Sequence, residues 1–122
     1  MRILVADRNV AVRSAVTLYL QNMLELVTVR EAVDDQELLA QAEVFCPDIV
    51  LLDWGLPGPA RTELLASLRA LDSRPSVIVL GSLLEQRQDA LAAGADYFIY
   101  KGDPARGLLA TMRFVEADRG AA

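Results

Sequence analysis

Three charged residues of this chain stand at the ends of otherwise apolar runs. Asp7 follows RILVA (2–6), Asp53 closes DIVLLD (48–53) and Lys101 closes YFIYK (97–101). Runs of this length, rich in β-branched and aromatic residues, read as buried strands. Two carboxylates gathered at strand ends can hold a hard cation through oxygen, and an ammonium beside them can neutralise an anionic ligand. A fourth strand, SVIVL (76–80), is followed by Gly81 and Ser82, and Arg8 comes directly after Asp7. Each residue also has a plainer reading. Asp7 can cap the first helix, although Asn9 serves there equally well. Asp53 can be a turn carboxylate before Trp54-Gly55, and Lys101 a surface lysine.

The rest of the composition narrows the chemistry. The chain has 122 residues, no histidine, and Cys46 as its single cysteine. A His/Cys metal site, a histidine-based catalytic triad and an intrachain disulfide are therefore excluded, and any bound metal must be a hard ion such as Mg²⁺. Cys46 is expected to be an inert, reduced core residue, and its use suits a cytoplasmic location. Net charge is −5 and the basic residues are scattered along the sequence. That pattern argues against direct nucleic-acid binding. No apolar run approaches the roughly 20 residues of a membrane span, and MRILVAD is a core strand in character, not a signal peptide.

The elements that must position these residues alternate five times. After the first strand, Val12, Ala15, Val16, Tyr19, Leu20 and Met23 follow the spacing of an amphipathic helix. LVTVREA (26–32) alternates like a strand with one wet side, near a sheet edge. In the segment 34–45, Asp34 or Asp35 is the N-cap and Leu38, Leu39, Ala42 and Phe45 form the stripe. A Gly- and Pro-rich loop follows Asp53, and Leu64, Leu65, Leu68 and Leu71 mark a third helix. A fourth helix over roughly 84–93 ends at Gly94. The last helix has Asp103 as N-cap and Pro104 at its first position. Five strand–helix units imply an α/β domain with a doubly wound parallel sheet. In such a sheet the site lies beyond the carboxyl ends of the strands, where Asp7, Asp53, Gly81-Ser82 and Lys101 fall. Residues 1–116 read as one domain and 117–122 as a tail or the start of a linker. Phe98 and Tyr100 alternate with Tyr97 and Ile99, so each pair faces one side of the sheet.

On ILVADRNVAVRSAV, PDIVLLDWGLPG and AAGADYFIYK, the chain resembles the receiver domains of two-component response regulators, the CheY-like superfamily. Asp53 with Pro57 four residues on, and Gly94 with Lys101 seven residues on, form the specific combination. The resemblance implies a (βα)₅ sheet in the order 2-1-3-4-5. It also implies a cytoplasmic signalling role in which Asp53 accepts a phosphoryl group from a histidine kinase or phosphotransfer protein. Such a domain is no enzyme beyond phosphorylating itself from a phosphodonor. Mg²⁺ would be held by Asp7, Asp53 and the backbone carbonyl of Gly55, with Lys101 touching the phosphoryl oxygens. Phe98 stands where the family carries an aromatic that moves with the switch. Output would pass to a partner protein, and a homodimer could form through the last two helices and fifth strand. No direct contact with nucleic acid or membrane is implied.

Two positions depart from the family pattern. Arg8 stands where a second acid usually touches the metal, and Gly81 where a Ser or Thr usually donates to the phosphoryl group. Ser82 is one residue too far on, and strand alternation turns it to the other face unless a local twist brings it round. Two acids against two cations make the pocket neutral without a metal, so Mg²⁺ binding is expected to be weak or absent. Arg8 is expected to pair with Asp53 or Asp7 as a metal substitute. It would then either lock the acceptor or hold phosphoryl oxygens itself; the plainer reading points it into solvent. The expectation is an atypical receiver working through protein–protein contacts, with a conventional phospho-accepting receiver as the alternative. A small enzyme or cofactor binder on a flavodoxin-like scaffold is more remote, because ADRNV is charged where a phosphate loop wants Ser, Thr or Gly.

Overall fold

The apolar runs do form the middle layer of a sandwich. In the computed structural model, which describes residues 1–56, 58, 61–101 and 104–120, five strands alternate with five helices. They are β1 (Arg2–Ala6), α1 (Val10–Met23), β2 (Thr28–Ala32), α2 (Asp35–Phe45), β3 (Ile49–Asp53), α3 (Arg61–Arg69), β4 (Ser76–Gly81), α4 (Gln86–Ala93), β5 (Tyr97–Tyr100) and α5 (Pro104–Gly120). The strands are all parallel, in the order β2-β1-β3-β4-β5. This is the doubly wound arrangement that right-handed crossovers impose on five strand–helix units.

Strand alternation divides the core in two. Leu4, Ala6, Val50, Leu52, Val77 and Val79 pack against α2, α3 and α4 through Leu38, Phe45, Leu65, Leu68 and Ala90. Ile3, Val5, Ile49, Leu51, Ile78, Leu80 and Ile99 face α1 and α5 through Leu20, Leu108, Met112 and Val115. The central strands are apolar on both sides because helices cover both faces. Only β2, at the edge, alternates between exposed and covered residues.

Local chemistry sets the helix ends. Asn9 caps α1 by accepting from the N–H groups of Ala11 and Val12, and Asp34 caps α2 by accepting from Glu37. Gly94 ends α4 at φ 118°, a conformation open to glycine. The N-cap expected at Asp103, and Pro57 of the family motif, lie outside the described residues. The helix of α5 continues to Gly120, through most of the stretch that the sequence assigns to a tail or linker.

Cys46 departs from expectation. It is exposed, not in the core, because it closes α2 in the left-handed conformation at φ 52°. That turn leaves the thiol over the helix end, 3.7 Å from the carbonyl of Glu43.

Candidate functional site

The register brings the polar strand ends together. Ala6 lies opposite Leu52, Asp53 opposite Leu80, and Gly81 opposite Tyr100. Three backbone bonds extend this pairing just past the strands: Asp7 N–H to Ala32, Trp54 N–H to Leu80, and Lys101 N–H to Gly81. Asp7, Asp53 and Lys101 continue the series of residues that faces α1 and α5. They line a cavity of about 250 Å³ together with Arg8, Asn9, Val12, Trp54, Gly55, Ser82 and Gln86.

Lys101 joins the two acids. Its Nζ donates to Asp53 Oδ1 at 2.7 Å and to Asp7 Oδ2 at 3.2 Å. Both carboxylates are poorly accessible, Asp7 being only 3% exposed and the sole charged residue buried among the described ones. Burial alone would push the lysine pKa down. The hydrogen bond it donates to Asp53 and the charges of Asp53 and Asp7 outweigh it, so the ammonium titrates above the ordinary lysine range. Asp7 is held on every side: Oδ1 accepts from the N–H of Asn9 at 2.9 Å, and Arg13 Nη1 donates to its backbone carbonyl at 2.6 Å. Arg13 is itself paired with Glu31 across the sheet edge. Asp7 is thus a cavity residue, and the capping of α1 belongs to Asn9.

Arg8 does not take the expected place. It is exposed at the cavity mouth and makes no ion pair with Asp7 or Asp53. The reason lies in the turn. Asp7 folds inward to Lys101 and the chain then reverses into the Asn9 cap, so the intervening side chain is left on the outside. The position between the two acids belongs to Lys101.

Gly81 is filled by its neighbours. A Cβ there would stand 2.5 and 2.6 Å from the Phe98 ring and 2.8 Å from Gln86 Oε1. Phe98 packs with the α2–α4 side of the core, so the absent side chain is what lets the ring lie over the end of β4. Tyr97 and Ile99 join the opposite core and Tyr100 is exposed, as alternation requires. Ser82, expected on the far face, instead lines the cavity. Leu80, two residues earlier, faces the side of Asp53, so alternation carries Ser82 to that side as well, while Gly81 faces the opposite side with Val79 and Phe98.

Two residues that the sequence pattern does not single out shape the site. Gln86, at the start of α4, turns its Oε1 back to accept from the N–H of Leu83 at 3.2 Å. This is half of a capping box, but the sequence signal points elsewhere, since Ser82 and Glu85 have the spacing of the usual pair. Arg61 donates from Nε to the carbonyl of Trp54 at 2.9 Å and from Nη2 to that of Leu56, and lies 5.9 Å from the Trp54 ring. It anchors the loop that carries Gly55, and no spacing rule announces it.

The donor set can be tested against a divalent cation. Asp7 has both carboxylate oxygens engaged, and Asp53 has one engaged by Lys101. Asp53 Oδ2 and the carbonyl of Gly55 are what remain of the oxygens expected to bind metal. No group of three or more candidate metal-binding side chains occurs among the described residues. Mg²⁺ bound through Asp53 Oδ2 and the Gly55 carbonyl would take its remaining oxygens from water, beside the ammonium of Lys101.

A family model described as "Response regulator receiver domain" matches residues 3–113. The chain belongs to that family. Among curated relatives, the receiver is 28% identical over 119 residues to the oxygen regulatory protein NreC of Staphylococcus aureus, covering 94% of this chain and 54% of that one. It therefore spans about half the length of the curated relatives it matches. Among solved structures, a CheY-like receiver domain protein from Methanospirillum hungatei superposes with a TM-score of 0.83 at 28% identity, covering 99% of this chain and 98% of that one. A LuxR-family response regulator from Aurantimonas gives 0.81 at 26% identity, covering 95% and 85%. The signal receiver domain from Colwellia psychrerythraea reaches 0.85 at 17% identity, with 96% and 98% covered, which speaks to the fold alone. Receiver domains are signalling modules of two-component systems, and no described helix of this receiver is long and apolar enough to cross a membrane.

Proposed function

We propose that this receiver domain accepts a phosphoryl group on Asp53 with a weakened need for Mg²⁺, and that it switches less fully than a receiver with the usual residues. The observation that carries this reading is the placement of charge. Lys101 Nζ sits 2.7 Å from Asp53 Oδ1, Arg8 stands at the mouth of the same cavity, and Asp53 Oδ2 accepts no hydrogen bond among the described residues. Oδ2 of Asp53 is then the nucleophile. It forms an O–P bond to a phosphohistidine of a kinase or phosphotransfer protein as the P–N bond breaks, and the bonding pair leaves with the imidazole, which takes a proton from solvent. Lys101 and Arg8 neutralise the oxygens of the transferring group, the part a divalent ion would otherwise fill. A guanidinium at the mouth suits these oxygens geometrically, which favours this role over the locking of Asp53.

The blunted switch follows from β4. Gly81 has no hydroxyl to donate to a phosphoryl group, and Phe98 already occupies the space a larger side chain would need. Output then passes through protein–protein contacts of a cytoplasmic protein, including a homodimer through α4, β5 and α5. Residues 1–116 act as the receiver domain.

The test uses the single tryptophan beside Asp53. Mg²⁺ titration is expected to leave Trp54 fluorescence nearly unchanged through the millimolar range. Incubation with a small phosphodonor such as acetyl phosphate should add one phosphoryl group by intact mass, with or without chelator, and an Asp53→Asn variant should add none. Tight Mg²⁺ binding, or modification abolished by chelator, would overturn the metal-sparing reading in favour of a conventional receiver.

A further inference from the structure

The cavity holds a donor with no assigned use. Gln86 is half-buried at the first position of α4, and its side-chain amide reaches back over the loop 82–85. The orientation of that amide is fixed by chemistry: the backbone N–H of Leu83 can only donate, so the atom 3.2 Å from it is the oxygen. Nε2, carrying two N–H groups, is left without a hydrogen bond among the described residues. The same head group occupies the volume vacated at Gly81, with Oε1 only 2.8 Å from where a Cβ would stand. Gln86 also lines the cavity that contains Asp53 and Lys101. A two-donor amide, anchored by its own oxygen, thus lines the same cavity as Asp53 beside the vacant side-chain position of Gly81.

We propose that Gln86 is a phosphoryl-binding residue of this receiver: its Nε2–H donates to an oxygen of the phosphoryl group on Asp53, opposite Lys101. The proposal rests on Asp53 being the acceptor. The anchoring bond to Leu83 holds the amide before the phosphoryl group arrives, so little side-chain entropy remains to be lost on contact. It also moves the β4-side contact from the strand end to the first turn of α4, so that the charge on Asp53 bears on the helix directly.

Two variants separate this role from a purely structural one. Gln86→Glu keeps an oxygen for the Leu83 N–H and removes the donor; Gln86→Ala removes both without adding charge. With acetyl phosphate as donor, the rate of Asp53 modification by intact mass is expected to fall at least about tenfold in both variants, the scale of a hydrogen bond to a charged group. The thermal midpoint of Gln86→Glu should match that of the parent. In the parent, the ¹⁵N side-chain resonances of Gln86 should shift on phosphorylation. A parent-like rate in Gln86→Ala overturns the proposal, even if Gln86→Glu is slow, because the effect would then be one of charge. An immobile Gln86 resonance in phosphorylated protein overturns it too. Failure of the parent itself to be modified overturns the acceptor reading and this proposal together, an outcome distinct from the others.

Discussion

At the scale of single residues, the site turns on which cation reaches which acid. Lys101, not Arg8, lies between Asp7 and Asp53, so the arginine is a rim charge acting over distance. Replacing it by an acid reverses two units of charge at the mouth of a pocket with poorly accessible carboxylates. Arg8→Asp is accordingly expected to tighten Mg²⁺ binding about tenfold or more, read by Trp54 fluorescence at low salt. An unchanged affinity would show that Arg8 is too far out to matter. Lys101 carries a pH signature as well. Its pKa is raised in the folded protein, so the link to the acids contributes fully below the unfolded lysine value of about 10.4 and is lost as pH climbs through the higher folded value. Urea unfolding of the parent and Lys101→Met should therefore differ by a constant amount through neutral and mildly alkaline pH, and converge only above that range. The acids and the lysine were legible in the sequence because a charged residue closing an apolar strand is carried to the sheet edge by the strand itself. Gln86 and Arg61 were not, because each reaches its partner through a long side chain from a helix start, and such reach leaves no periodic trace.

Among elements, β4, β5 and α4 form one coupled unit at the carboxyl edge of the sheet. Gly81 is the position where the three meet, bounded by the Phe98 ring on one side and the Gln86 amide on the other. A side chain there must displace one of them. Gly81→Ser is expected to cost about 1–3 kcal/mol in urea unfolding, the usual range for overpacking. The cost should shrink in a Phe98→Ala background, where the ring that blocks the Cβ is gone. Equal costs in both backgrounds would mean that Phe98 swings aside freely and places no constraint on β4. The sequence exposes the missing hydroxyl but not its consequence, since the space is claimed by a residue 17 positions on in the neighbouring strand. The strand order was legible only through the family resemblance. Strand alternation does hold at Ser82, which shares the face of Leu80 and Asp53; the sequence alone leaves open which of Gly81 and Ser82 lies on that face, and the strand register decides it.

For the whole molecule, the question is where a phosphoryl group at one edge of the sheet is read out. The core shields both faces of β1 and β3, and the large apolar side chains left outside include Leu91 of α4, Tyr100 of β5 and Phe114 of α5. Tyr100 is 41% exposed and lies opposite Gly81, next to the coupled edge; Phe114 is 63% exposed but its ring packs edge-on against Tyr97, 6.0 Å between centroids. Phe114 therefore has a share in the fold, worth about 0.5–1.5 kcal/mol for such a pair. Leu91 and Tyr100 are better probes of self-association, since their exposed side chains can be changed with little loss of core. If the receiver dimerises through α4, β5 and α5, acetyl phosphate should raise its mass in multi-angle light scattering toward that of two chains. The double variant Leu91→Glu/Tyr100→Glu should stay at one chain while its urea midpoint and its modification at Asp53 match the parent. A parent that remains a single chain when fully modified would remove the dimer from the reading and leave the same exposed side chains to a partner of a different kind.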